Sequence, residues 1–496
     1  MYSYQEWQQR AAAIKFEGRA FINGQYVDAK SGATRPTFNP ATGEKLTDVA
    51  SCGLDDADFA IASAREAFET GIWADMAPAA RKEVMVKWAA LIDAHRDTIA
   101  LLECLDVGKP ISNTYEVDVP AAVRCIRWSG EAIDKVYDEV APTAHNELAL
   151  VERLPLGVVA AIVPWNFPLS TTAWKLAPAL ATGNSVILKP ASNTPLTALY
   201  IAGLATEAGL PSGVLQVLPG SGASLGKHLG MHMDIDGLTF TGSTPVGQTL
   251  MEYSGQSNLK RTFLELGGKS PNIVFADADL DAAASNAATA FLYNSGQTCT
   301  AGTRLIVQES VADEFIEKLL AATEGWKCGD TLDPATTMGP MVDKGQYDTV
   351  KSYVDIGDSE GCKRLIGGER VLEEMGGWFM PATIFDGVTN DMRIAQEEIF
   401  GPVLSIIRFK DEDDAVRIAN DSDFGLAGAV WSLNINTALR VARKVRVGTM
   451  GVNNYFGGDM TVPFGGFKLS GNGRDKSIHA FDDYTELKTT WIEISG

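Results

Sequence analysis

From Gly157 onward, apolar and polar positions repeat in the order short apolar run, turn and helical stretch. The first four apolar runs cover residues 158–163, 185–188, 214–218 and 237–240. Strands that alternate with helices are typical of a parallel, doubly wound α/β sheet, whose ligands lie beyond the carboxyl ends of the strands. The pattern therefore predicts such a sheet, with a dinucleotide site at that edge.

Upstream of this repeat, the pattern predicts a hairpin and two packing helices. Residues 20–27 are strand-like on both sides of Asn23-Gly24, a strong hairpin signal because a type I′ turn needs two positive φ values. Apolar residues recur at helical spacing from Asp55, and Pro78 opens a second amphipathic helix. Neither helix carries side chains with evident chemistry.

The second half repeats the alternation of strand and helix. Its strands are predicted at residues 272–275, 304–308, 403–409 and 427–431, with helices from Asp277 and near Asp313. We expect a separate α/β catalytic domain here, with the active site in the crevice between the two domains. The last predicted strand, 488–494, has unpaired edges, which favours pairing with another chain in an oligomer.

Length and charge limit the possible functions. A chain of 496 residues is too long for a single core, so we expect two or three domains. Its 45% hydrophobic and 21% charged residues are typical of a soluble globular protein. With 42 basic against 63 acidic residues, the net charge of -21 disfavours nucleic acid and anionic membranes as partners, and a phosphate group must be held by local donors. Solubility alone accounts for the acidity.

The cysteines and histidines indicate neither disulfides nor a metal site. Cysteine stands at positions 52, 104, 125, 299, 328 and 362 without a C-x-x-C pair, so we expect reduced thiols and a cytoplasmic location. The five histidines show no metal-ligand spacing. The N-terminus lacks signal-peptide regions, and no apolar run approaches the ~18 residues of a membrane span, so neither export nor membrane insertion is expected.

One cysteine lies in a stretch with catalytic potential. Residues 294–304 place Cys299 among small, turn-forming residues, after an Ala-rich segment (281–293) predicted to be a helix and before a predicted strand. A thiol in such a loop is reachable by a small molecule, and cysteine becomes a strong nucleophile with little help. The alternative is a free thiol buried as a small hydrophobic residue.

Two further stretches supply a base and an oxyanion donor. Glu265 lies in an apolar run that ends in two glycines, and burial raises the pKa of a carboxylate toward the range in which it acts as a base near neutrality. Asn166 stands between prolines 164 and 168, which hold its amide donor in place. Alternatively, Glu265 is a surface charge and Asn166 satisfies its own turn. With Cys299, the two residues form a nucleophile, base and oxyanion-donor set.

The usual G-x-G-x-x-G phosphate fingerprint is absent, since the glycine run 220–226 has one residue too many. The better candidate is the segment 241–247, directly after the predicted strand that ends at Phe240. Ser243 or Thr244 can cap a helix that Pro245 opens, which leaves free N–H groups aimed at an anion. A simple helix cap is the alternative.

Six motifs occur in the order found in the aldehyde dehydrogenase superfamily and span nearly the whole chain: PWNFP, FTGST, LELGGKS, GQTCTAGTR, EEIFGPV and PFGGFKLSGNGRD. The chain resembles that superfamily, and its run 452–477 is most similar to the gamma-glutamyl-gamma-aminobutyraldehyde and guanidinobutyraldehyde dehydrogenases of polyamine and arginine breakdown. The resemblance implies an α/β fold with a Rossmann-type cofactor domain (1–132 and 156–267), an α/β catalytic domain (268–468) and a small oligomerisation hairpin and arm (133–155 and 483–496).

The resemblance also implies NADP or NAD as cofactor. Lys189 would hold the adenosine ribose, and a glutamate at position 192 would repel a 2′-phosphate. Because this chain has the short, neutral Ser192, we expect NADP to be accepted at least as well as NAD. Glu398 would bind the nicotinamide ribose, with Phe400 beside the ring. The implied cofactor positions are Ile162, Pro164, Trp165, Lys189, Ser192, Gly222, Gly226, Phe240, Gly242, Ser243, Val246, Gly247, Leu266, Gly267, Glu398 and Phe400.

For the reaction, the resemblance supports attack by Cys299 on the aldehyde carbon, with the oxyanion held by the Asn166 amide and the Cys299 backbone N–H. Loss of hydride would leave a thioester, and Glu265 would activate the water that hydrolyses it. Lys175 would relay protons or serve as a salt-bridged structural lysine. Many relatives have a glutamate where Asp475 stands, and the shorter acid weakens a role there as distal proton acceptor.

The candidate substrate residues are three aromatics, which the resemblance implies, and two acids, which their charge suggests. Phe167, Trp174 and Phe464 match the superfamily's substrate tunnel and favour an aliphatic aldehyde, although aromatic residues are more often core. Asp118 and Asp459 would meet a cationic ω-amino or guanidino tail, or else lie at the surface. The hairpin near 136–154 and the terminal arm imply a homodimer or homotetramer.

Three alternative functions fit the sequence less well, and one of them is not catalytic. A CoA-acylating dehydrogenase would pass the thioester to a thiol and tends to lack the base, so Glu265 favours hydrolysis. A non-catalytic structural protein on the same fold would not need the intact set of three residues. A glyceraldehyde-phosphate-type enzyme would need a histidine beside the thiol, and none lies near Cys299 in the sequence.

Overall fold

The computed structural model describes residues 1–455 and 457–495. Within these residues, the strands are β1 (Ala20–Ile22), β2 (Gln25–Val27), β3 (Thr34–Phe38), β4 (Lys45–Ala50), β5 (Glu139–Ala141), β6 (Glu147–Pro155), β7 (Val158–Ile162), β8 (Ser185–Lys189), β9 (Leu215–Val217), β10 (Gly237–Thr241), β11 (Arg261–Glu265), β12 (Pro271–Val274), β13 (Arg304–Gln308), β14 (Lys363–Ile366), β15 (Thr383–Asp386), β16 (Val403–Phe409), β17 (Phe424–Gly425), β18 (Ala427–Trp431), β19 (Thr449–Val452), β20 (Phe467–Lys468) and β21 (Thr485–Glu493).

The α-helices of the same residues are α1 (Tyr4–Ala13), α2 (Leu54–Glu69), α3 (Pro78–Ala94), α4 (Arg96–Val107), α5 (Ile111–Asn113), α6 (Val119–Ala132), α7 (Pro168–Ala181), α8 (Leu196–Ala208), α9 (Gly222–Met231), α10 (Thr244–Gly255), α11 (Leu280–Leu292), α12 (Ala312–Thr323), α13 (Lys344–Ser359), α14 (Arg393–Gln396), α15 (Glu412–Asn420) and α16 (Ile435–Lys444). None of the helices in the described ranges combines the length and apolar character needed to cross a membrane.

The first large sheet has the strand order β11-β10-β7-β8-β9-β1-β2, and its strands from β11 to β9 are parallel. Alternate residues of β7 enter different cores: Val159 and Ala161 pack on one face of the sheet, and Val158 and Ala160 on the other. Helices therefore cover both faces, which explains the uninterrupted apolar runs. The predicted parallel, doubly wound sheet is confirmed.

The predicted hairpin is also confirmed. Strands β1 and β2 pair antiparallel, and Asn23 and Gly24 have φ values of 52° and 77°. The local pattern did not show where this hairpin packs. In the structure, Phe21 of β1 pairs antiparallel with Val217 of β9. The hairpin thus extends the first sheet at its far edge.

The second large sheet has the order β14-β15-β16-β13-β12-β18-β19, parallel except for the β14–β15 pair. It contains the four strands predicted for the second half. The helix expected from Asp277 begins instead at Leu280, because the Asp279 carboxylate accepts from the Ala282 N–H over 3.0 Å and sets the first turn. The boundary predicted at residue 268 falls between the last strand of the first sheet and the first strand of the second, and the division into domains stays a prediction.

A small antiparallel sheet of order β21-β6-β5 contains the C-terminal strand. Strand β21 begins three residues before the predicted start, and it pairs with β6 of the same chain from Thr485 opposite Pro155 to Glu493 opposite Glu147. The expected hairpin is the β5–β6 pair. The outer edges of β5 and β21 remain the candidate contacts for a neighbouring subunit.

Candidate active site

A cavity of about 640 Å³ lies where the carboxyl ends of the first sheet face loops of the second. Asn166 and Trp174 come from the segment after β7, Glu265 from the end of β11, and Cys299 from the loop between α11 and β13. Parallel strands present their carboxyl ends at one edge, so residues distant in sequence meet there. The cavity lining includes all three members of the predicted nucleophile, base and oxyanion-donor set.

The loop that carries Cys299 has an unusual backbone. Asn294 and Ser295 have φ values of 50° and 54°, and Gly296 follows at 73°. A Cβ at position 296 would lie 2.2 Å from the Gly401 carbonyl oxygen, so a side chain is excluded there. The next residue is anchored, because the Val342 N–H donates to Gln297 Oε1 over 2.9 Å. Such conformations persist where the surrounding packing imposes them, and they cluster at functional sites.

The Cys299 thiol is protonated at neutral pH in this environment. Burial raises its pKa to about 12, and the nearby carboxyl groups of Glu398 and Glu265 add to the rise. The sequence left the resting state of this thiol open. In the structure, the thiol lines the cavity and must lose its proton as it reacts.

Asn166 is held against the Cys299 loop by two hydrogen bonds. Its Nδ2 donates to the Gln297 carbonyl over 2.9 Å, and Asn294 Nδ2 donates to the Asn166 carbonyl over 3.1 Å. An amide nitrogen has two hydrogens, and among the described residues only one finds an acceptor. The reading of Asn166 as a residue that satisfies only its own turn is therefore wrong.

Glu265 is 2% exposed, and neither of its carboxylate oxygens has a hydrogen-bond partner among the described residues. Its Oε1 occupies a niche beside two glycines, since a Cβ would approach it to 2.7 Å at Gly465 and to 3.3 Å at Gly473. Burial raises the pKa of Glu265 well above its usual value, Asp475 adds to the rise, and Lys175 opposes it. A surface position for Glu265 is excluded, and its environment is that of a buried base.

Lys175 and Asp475 form a buried ion pair behind this base. Lys175 Nζ donates to both carboxylate oxygens of Asp475, over 2.8 and 3.0 Å. Asp475 also lines the cavity. The shorter acid at position 475 thus reaches Lys175. Of the two roles considered for Lys175 from the sequence, this contact fits the salt-bridged structural lysine.

The predicted phosphate loop leads into α10, but without the predicted side-chain cap. Ser243 occupies the N-cap position and its hydroxyl accepts no capping hydrogen bond, while the Thr244 hydroxyl donates to the Leu469 carbonyl over 3.2 Å. The expectation of a Ser243 or Thr244 side-chain cap is therefore wrong. The N–H groups of the first turn are left for another acceptor, which suits an anion.

Lys189 and Ser192 lie at the end of β8 beside the glycine run. Lys189 is 3% exposed, so a solvated surface charge is excluded, and a Cβ at Gly222 would lie 4.0 Å from its Nζ. Burial lowers the pKa of Lys189 to about 8, helped by the positive charge of Arg35. The Ser192 hydroxyl donates to the Gly220 carbonyl over 2.9 Å. Two basic side chains and a neutral serine thus surround the predicted ribose position.

Glu398 lies against the glycines that follow β11. The Gly268 N–H donates to Glu398 Oε1 over 3.0 Å, and a Cβ at Gly267 would lie 2.0 Å from Oε2, so glycine is required for this approach. Burial raises the pKa of Glu398 to about 7. Phe400 has a left-handed φ of 58°, and its ring lies 5.3 Å from that of Trp165, edge to face.

The predicted cofactor positions fall into two groups. Those that line the cavity are Pro164, Trp165, Gly242, Ser243, Leu266, Gly267, Glu398 and Phe400. Those outside its lining are Ile162, Lys189, Ser192, Gly222, Gly226, Phe240, Val246 and Gly247. A Cβ at Gly226 would meet nothing within 4 Å, so this part of α9 borders open space. These features fit a dinucleotide that extends from the cavity across the strand ends.

The three predicted substrate aromatics all line the cavity, together with Tyr293. The Phe167 ring stacks on that of Tyr293 at 6.2 Å, and Lys109 Nζ lies 3.6 Å from the centre of the Phe167 ring. The rings of Trp174 and Phe464 lie 5.0 Å apart. This lining suits an aliphatic chain.

The two acids predicted to meet a cationic tail each have a partner in the chain. Asp118 lines the cavity but is 1% exposed, and Lys109 Nζ donates to its Oδ2 over 2.9 Å. Asp459 is exposed, lies outside the cavity lining, and accepts from the Thr461 N–H over 2.7 Å. A role for either carboxylate toward a cationic tail stays a prediction, and this geometry does not favour it.

Sequence reasoning missed several residues of the site. The sequence pattern places Tyr293 only at the end of a predicted helix. An aromatic residue directly before the nucleophile loop could have indicated a position in the cavity lining. Arg35 and Lys109 carry no local signal, because each reaches the site from a distant segment. Lys476 was overlooked beside Asp475, although its Nζ lies near two of the cavity aromatics.

The model of the Aldehyde dehydrogenase family matches residues 26–490. The NADP/NAD-dependent aldehyde dehydrogenase PuuC of Escherichia coli (strain K12) is 51% identical over 99% of this chain and 98% of that protein.

Two solved structures superpose over nearly the whole chain. An indole-3-acetaldehyde dehydrogenase complexed with NAD+ is 56% identical, with a TM-score of 0.99 over 99% of this chain and 100% of that one. A gamma-glutamyl-gamma-aminobutyraldehyde dehydrogenase from Burkholderia cenocepacia J2315 is 53% identical, with a TM-score of 0.98 over 100% of both chains.

Proposed function

The chain belongs to the aldehyde dehydrogenase family as an NAD(P)-dependent oxidoreductase, and from that premise we propose that Cys299, Asn166 and Glu265 oxidise an aldehyde to its carboxylic acid. One observation carries these roles: a thiol, an amide donor with an uncommitted hydrogen and a buried, unpaired carboxylate line the same cavity. The three groups supply a nucleophile, an oxyanion donor and a base.

The first step is attack by the Cys299 sulfur on the aldehyde carbon. The thiol proton leaves as the carbon–sulfur bond forms, because burial holds the pKa of this thiol at about 12. The carbonyl oxygen then gains negative charge. The uncommitted hydrogen of Asn166 Nδ2 and the Cys299 backbone N–H stabilise that oxygen, and the proton released by the thiol is transferred to it to give a thiohemiacetal.

The thiohemiacetal on Cys299 becomes a thioester by losing the proton of its hydroxyl group and a hydride from the same carbon. A nicotinamide is the hydride acceptor when the cofactor is bound. Glu265 takes a proton from the water that attacks the thioester carbon. The carbon–sulfur bond breaks, the acid leaves and Cys299 regains its proton. A carboxyl group with a raised pKa suits this proton transfer near neutral pH.

Lys175 and Asp475 adjust the base without contacting the substrate in this proposal. Asp475 raises the pKa of Glu265 and Lys175 lowers it, so the buried pair sets how readily Glu265 accepts a proton. The charges of Asp475 and Lys175 also act on the carboxyl group of Asp483. Burial raises the pKa of Asp483 to about 6.

The cofactor is held by residues from both ends of the crevice. The uncapped N-terminus of α10 and Gly242 suit the pyrophosphate, and Lys189 suits the adenosine ribose. Ser192 carries no charge, and the positive field of Arg35 and Lys189 favours a 2′-phosphate. We therefore propose that NADP is used at least as well as NAD, and the relative PuuC is described as dependent on both.

The proposed substrates are aliphatic aldehydes that contain nitrogen, including ω-amino and guanidino aldehydes. The aromatic lining at Phe167, Trp174 and Phe464 supports an extended apolar stem. The similarity to the gamma-glutamyl-gamma-aminobutyraldehyde dehydrogenase from Burkholderia cenocepacia J2315 supports a nitrogen-containing aldehyde. We place the reaction in the cytoplasm, in keeping with cysteines that are all unpaired among the described residues.

A homodimer or homotetramer is proposed from the small sheet. Leu487 and Trp491 on β21 are 61% and 60% exposed, and Val140 on β5 is 68% exposed. Large apolar side chains at free strand edges indicate contact with another copy of the chain. The terminal segment 483–496 is thus proposed as the oligomerisation arm, with the hairpin 133–155.

The test is the formation of NADH and NADPH at 340 nm with a panel of aliphatic, ω-amino and aromatic aldehydes, with the acid product identified by mass spectrometry. We expect reduced cofactor and free acid in equal amounts without CoA. Dependence on CoA, with an acyl-CoA product, would contradict the role of Glu265. A lack of reduced cofactor with every aldehyde would contradict the proposal as a whole.

A further inference from the structure

Lys476 places an ammonium group beside the aromatic part of the substrate cavity. Its Nζ lies 5.4 Å from the centre of the Trp174 ring and 5.5 Å from that of Phe464, two residues of the cavity lining. The lysine is half-buried, and its Nζ has no hydrogen bond or ion pair with any of the described residues. Among the described residues, the Lys476 ammonium therefore has no hydrogen-bond acceptor.

The position of Lys476 is imposed by the fold. Lys476 and Ser477 have φ values of 61° and 54°, a left-handed conformation that non-glycine residues rarely adopt. The segment is pinned on both sides, because Phe464 and Asp475 exchange two backbone hydrogen bonds of 2.7 Å, and the Ser477 N–H donates to the Met460 carbonyl over 3.0 Å. Backbone strain of this kind is typical of residues that contact ligands.

The acidic groups near Lys476 are already engaged. Asp475 accepts both hydrogen bonds from Lys175, and the Asp459 carboxylate accepts from Thr461. Burial lowers the pKa of Lys476, while the negative fields of Asp475 and Asp459 oppose that change only in part. An incoming anion would supply the missing partner and favour the charged amine.

We propose that Lys476 binds a carboxylate at the far end of the aldehyde substrate. The inference rests on the proposed function of the same cavity. Within the proposed aliphatic aldehydes it favours those that end in a carboxylate, including nitrogen-containing ones with an amino-acid end, over those that end in a bare ω-amino or guanidino group. The apolar stem would lie along Trp174 and Phe464, and the carboxylate would accept a charge-assisted hydrogen bond from Nζ. A bare ω-ammonium would instead meet a like charge.

The experiment compares ω-oxo acids with methyl-ended aldehydes and ω-amino aldehydes of equal chain length. The readout is the ratio of kcat/KM for the carboxylate-ended aldehyde to that for the methyl-ended one. We expect the wild-type ratio to favour the carboxylate at the best chain length. Lys476→Met should reduce the ratio by about two- to fivefold through KM, which is the size of one partly exposed ion pair. Lys476→Arg should keep most of the wild-type ratio.

Lys30→Met is a matched control, because Lys30 Nζ also lies near an aromatic ring, 4.9 Å from the centre of Phe59, but that ring is not part of the cavity lining, unlike the rings of Trp174 and Phe464. This control should keep the wild-type ratio. A measurement without variants is inhibition of methyl-ended aldehyde oxidation by linear dicarboxylates and by the matching primary alcohols, where the dicarboxylates should bind more tightly.

The outcomes separate the two proposals. Oxidation of the methyl-ended aldehydes without any preference for the carboxylate would overturn the role of Lys476 and leave the proposed function standing. An equal loss of kcat/KM for both substrates in Lys476→Met would mark a structural role and also overturn it. A wild-type protein that oxidises none of the aldehydes would contradict the proposed function itself.

Discussion

Lys175 and Asp475, 300 positions apart in the chain, are joined by a buried ion pair in which Lys175 Nζ reaches both carboxylate oxygens at 2.8 and 3.0 Å. Both side chains are almost fully buried. The two charges act on Glu265 in opposite directions, because Asp475 raises its pKa and Lys175 lowers it. This pair therefore couples the stability of the interior to the protonation of the proposed base.

Removing Lys175 should cost stability and shift the pH profile. In Lys175→Met, the buried Asp475 loses its partner, and we expect unfolding free energy to fall by about 3–5 kcal/mol. Hydrolysis of the thioester should need a higher pH, because the opposing charge that lowers the pKa of Glu265 is gone. Denaturant titration and the pH dependence of steady-state turnover check both effects.

The double variant Lys175→Met with Asp475→Asn provides the control. It removes both charges, so much of the lost stability should return, and the pH profile should move back toward that of the wild type. Equal profiles for the single variant and the wild type would contradict the coupling to Glu265.

Cys299→Ser should reduce kcat by at least about 10³-fold, because the weaker nucleophile cannot form the thioester. Cys328→Ser is the matched control, since Cys328 is also a half-buried free thiol whose pKa is raised to about 12 but which lies outside the cavity lining. Full turnover in Cys299→Ser, or an acyl adduct mapped by mass spectrometry to another residue, would refute the assignment.

The Cys299 thiol should lose its proton only at a higher pH than an ordinary cysteine. Burial raises its pKa to about 12, so its alkylation by iodoacetamide should keep accelerating above the pH at which an ordinary cysteine of pKa ~8.5 levels off. The measurement is the alkylation rate of this cysteine by mass spectrometry, over a pH range in which circular dichroism shows the fold intact. A plateau below pH ~8 would contradict the thiol state described above.

Glu265→Gln should separate the two halves of the reaction. Formation of the thioester does not need this base, so one equivalent of reduced cofactor per active site should appear rapidly. Hydrolysis should then slow by about 10²- to 10³-fold. In the wild type, hydrolysis should rise with pH as Glu265 loses its proton through its raised pKa, and the variant should lose that dependence. Rapid-mixing absorbance at 340 nm measures both phases.

Ser192→Glu should shift the cofactor preference toward NAD. A carboxylate beside Lys189 would repel the 2′-phosphate, and we expect kcat/KM for NADP to fall by about 10- to 100-fold while the value for NAD changes much less. Ser192→Ala removes only the hydrogen bond to the Gly220 carbonyl and should keep the wild-type ratio. Equal losses for both cofactors in Ser192→Glu would argue against charge selection at this position.

Trp491→Asp combined with Leu487→Asp should weaken subunit association. The wild-type chain of 53.1 kDa should elute as a dimer or tetramer, and the charged side chains on β21 should shift it toward the monomer at micromolar concentration. Leu433→Asp, at another strongly exposed apolar position, should leave the assembly unchanged. Multi-angle light scattering measures the masses. An unchanged mass in the double variant would contradict the proposal that β21 forms part of the subunit interface.

Much of the architecture was predictable because it depends on local patterns. Apolar runs at 158–163 and 185–188 reflect strands covered on both faces, and Asn23-Gly24 marks a turn that needs two positive φ values. The positions of Cys299, Glu265 and Asn166 in loops and at a strand end could also be read locally. These features depend on neighbours within a few residues, which the order of the sequence displays directly.

The contacts between charged residues from distant segments, and the burial of those residues, could not be predicted from local sequence patterns. The sequence by itself determined the kinds of element, the motifs and the identity of the reactive groups. Only the tertiary structure decided that Asp475 reaches Lys175, that Asp118 is already paired with Lys109, and that Lys476 lies beside Trp174 without an ion pair to any described residue. These outcomes depend on how distant segments pack, because desolvation and the distance between charges are properties of the folded interior.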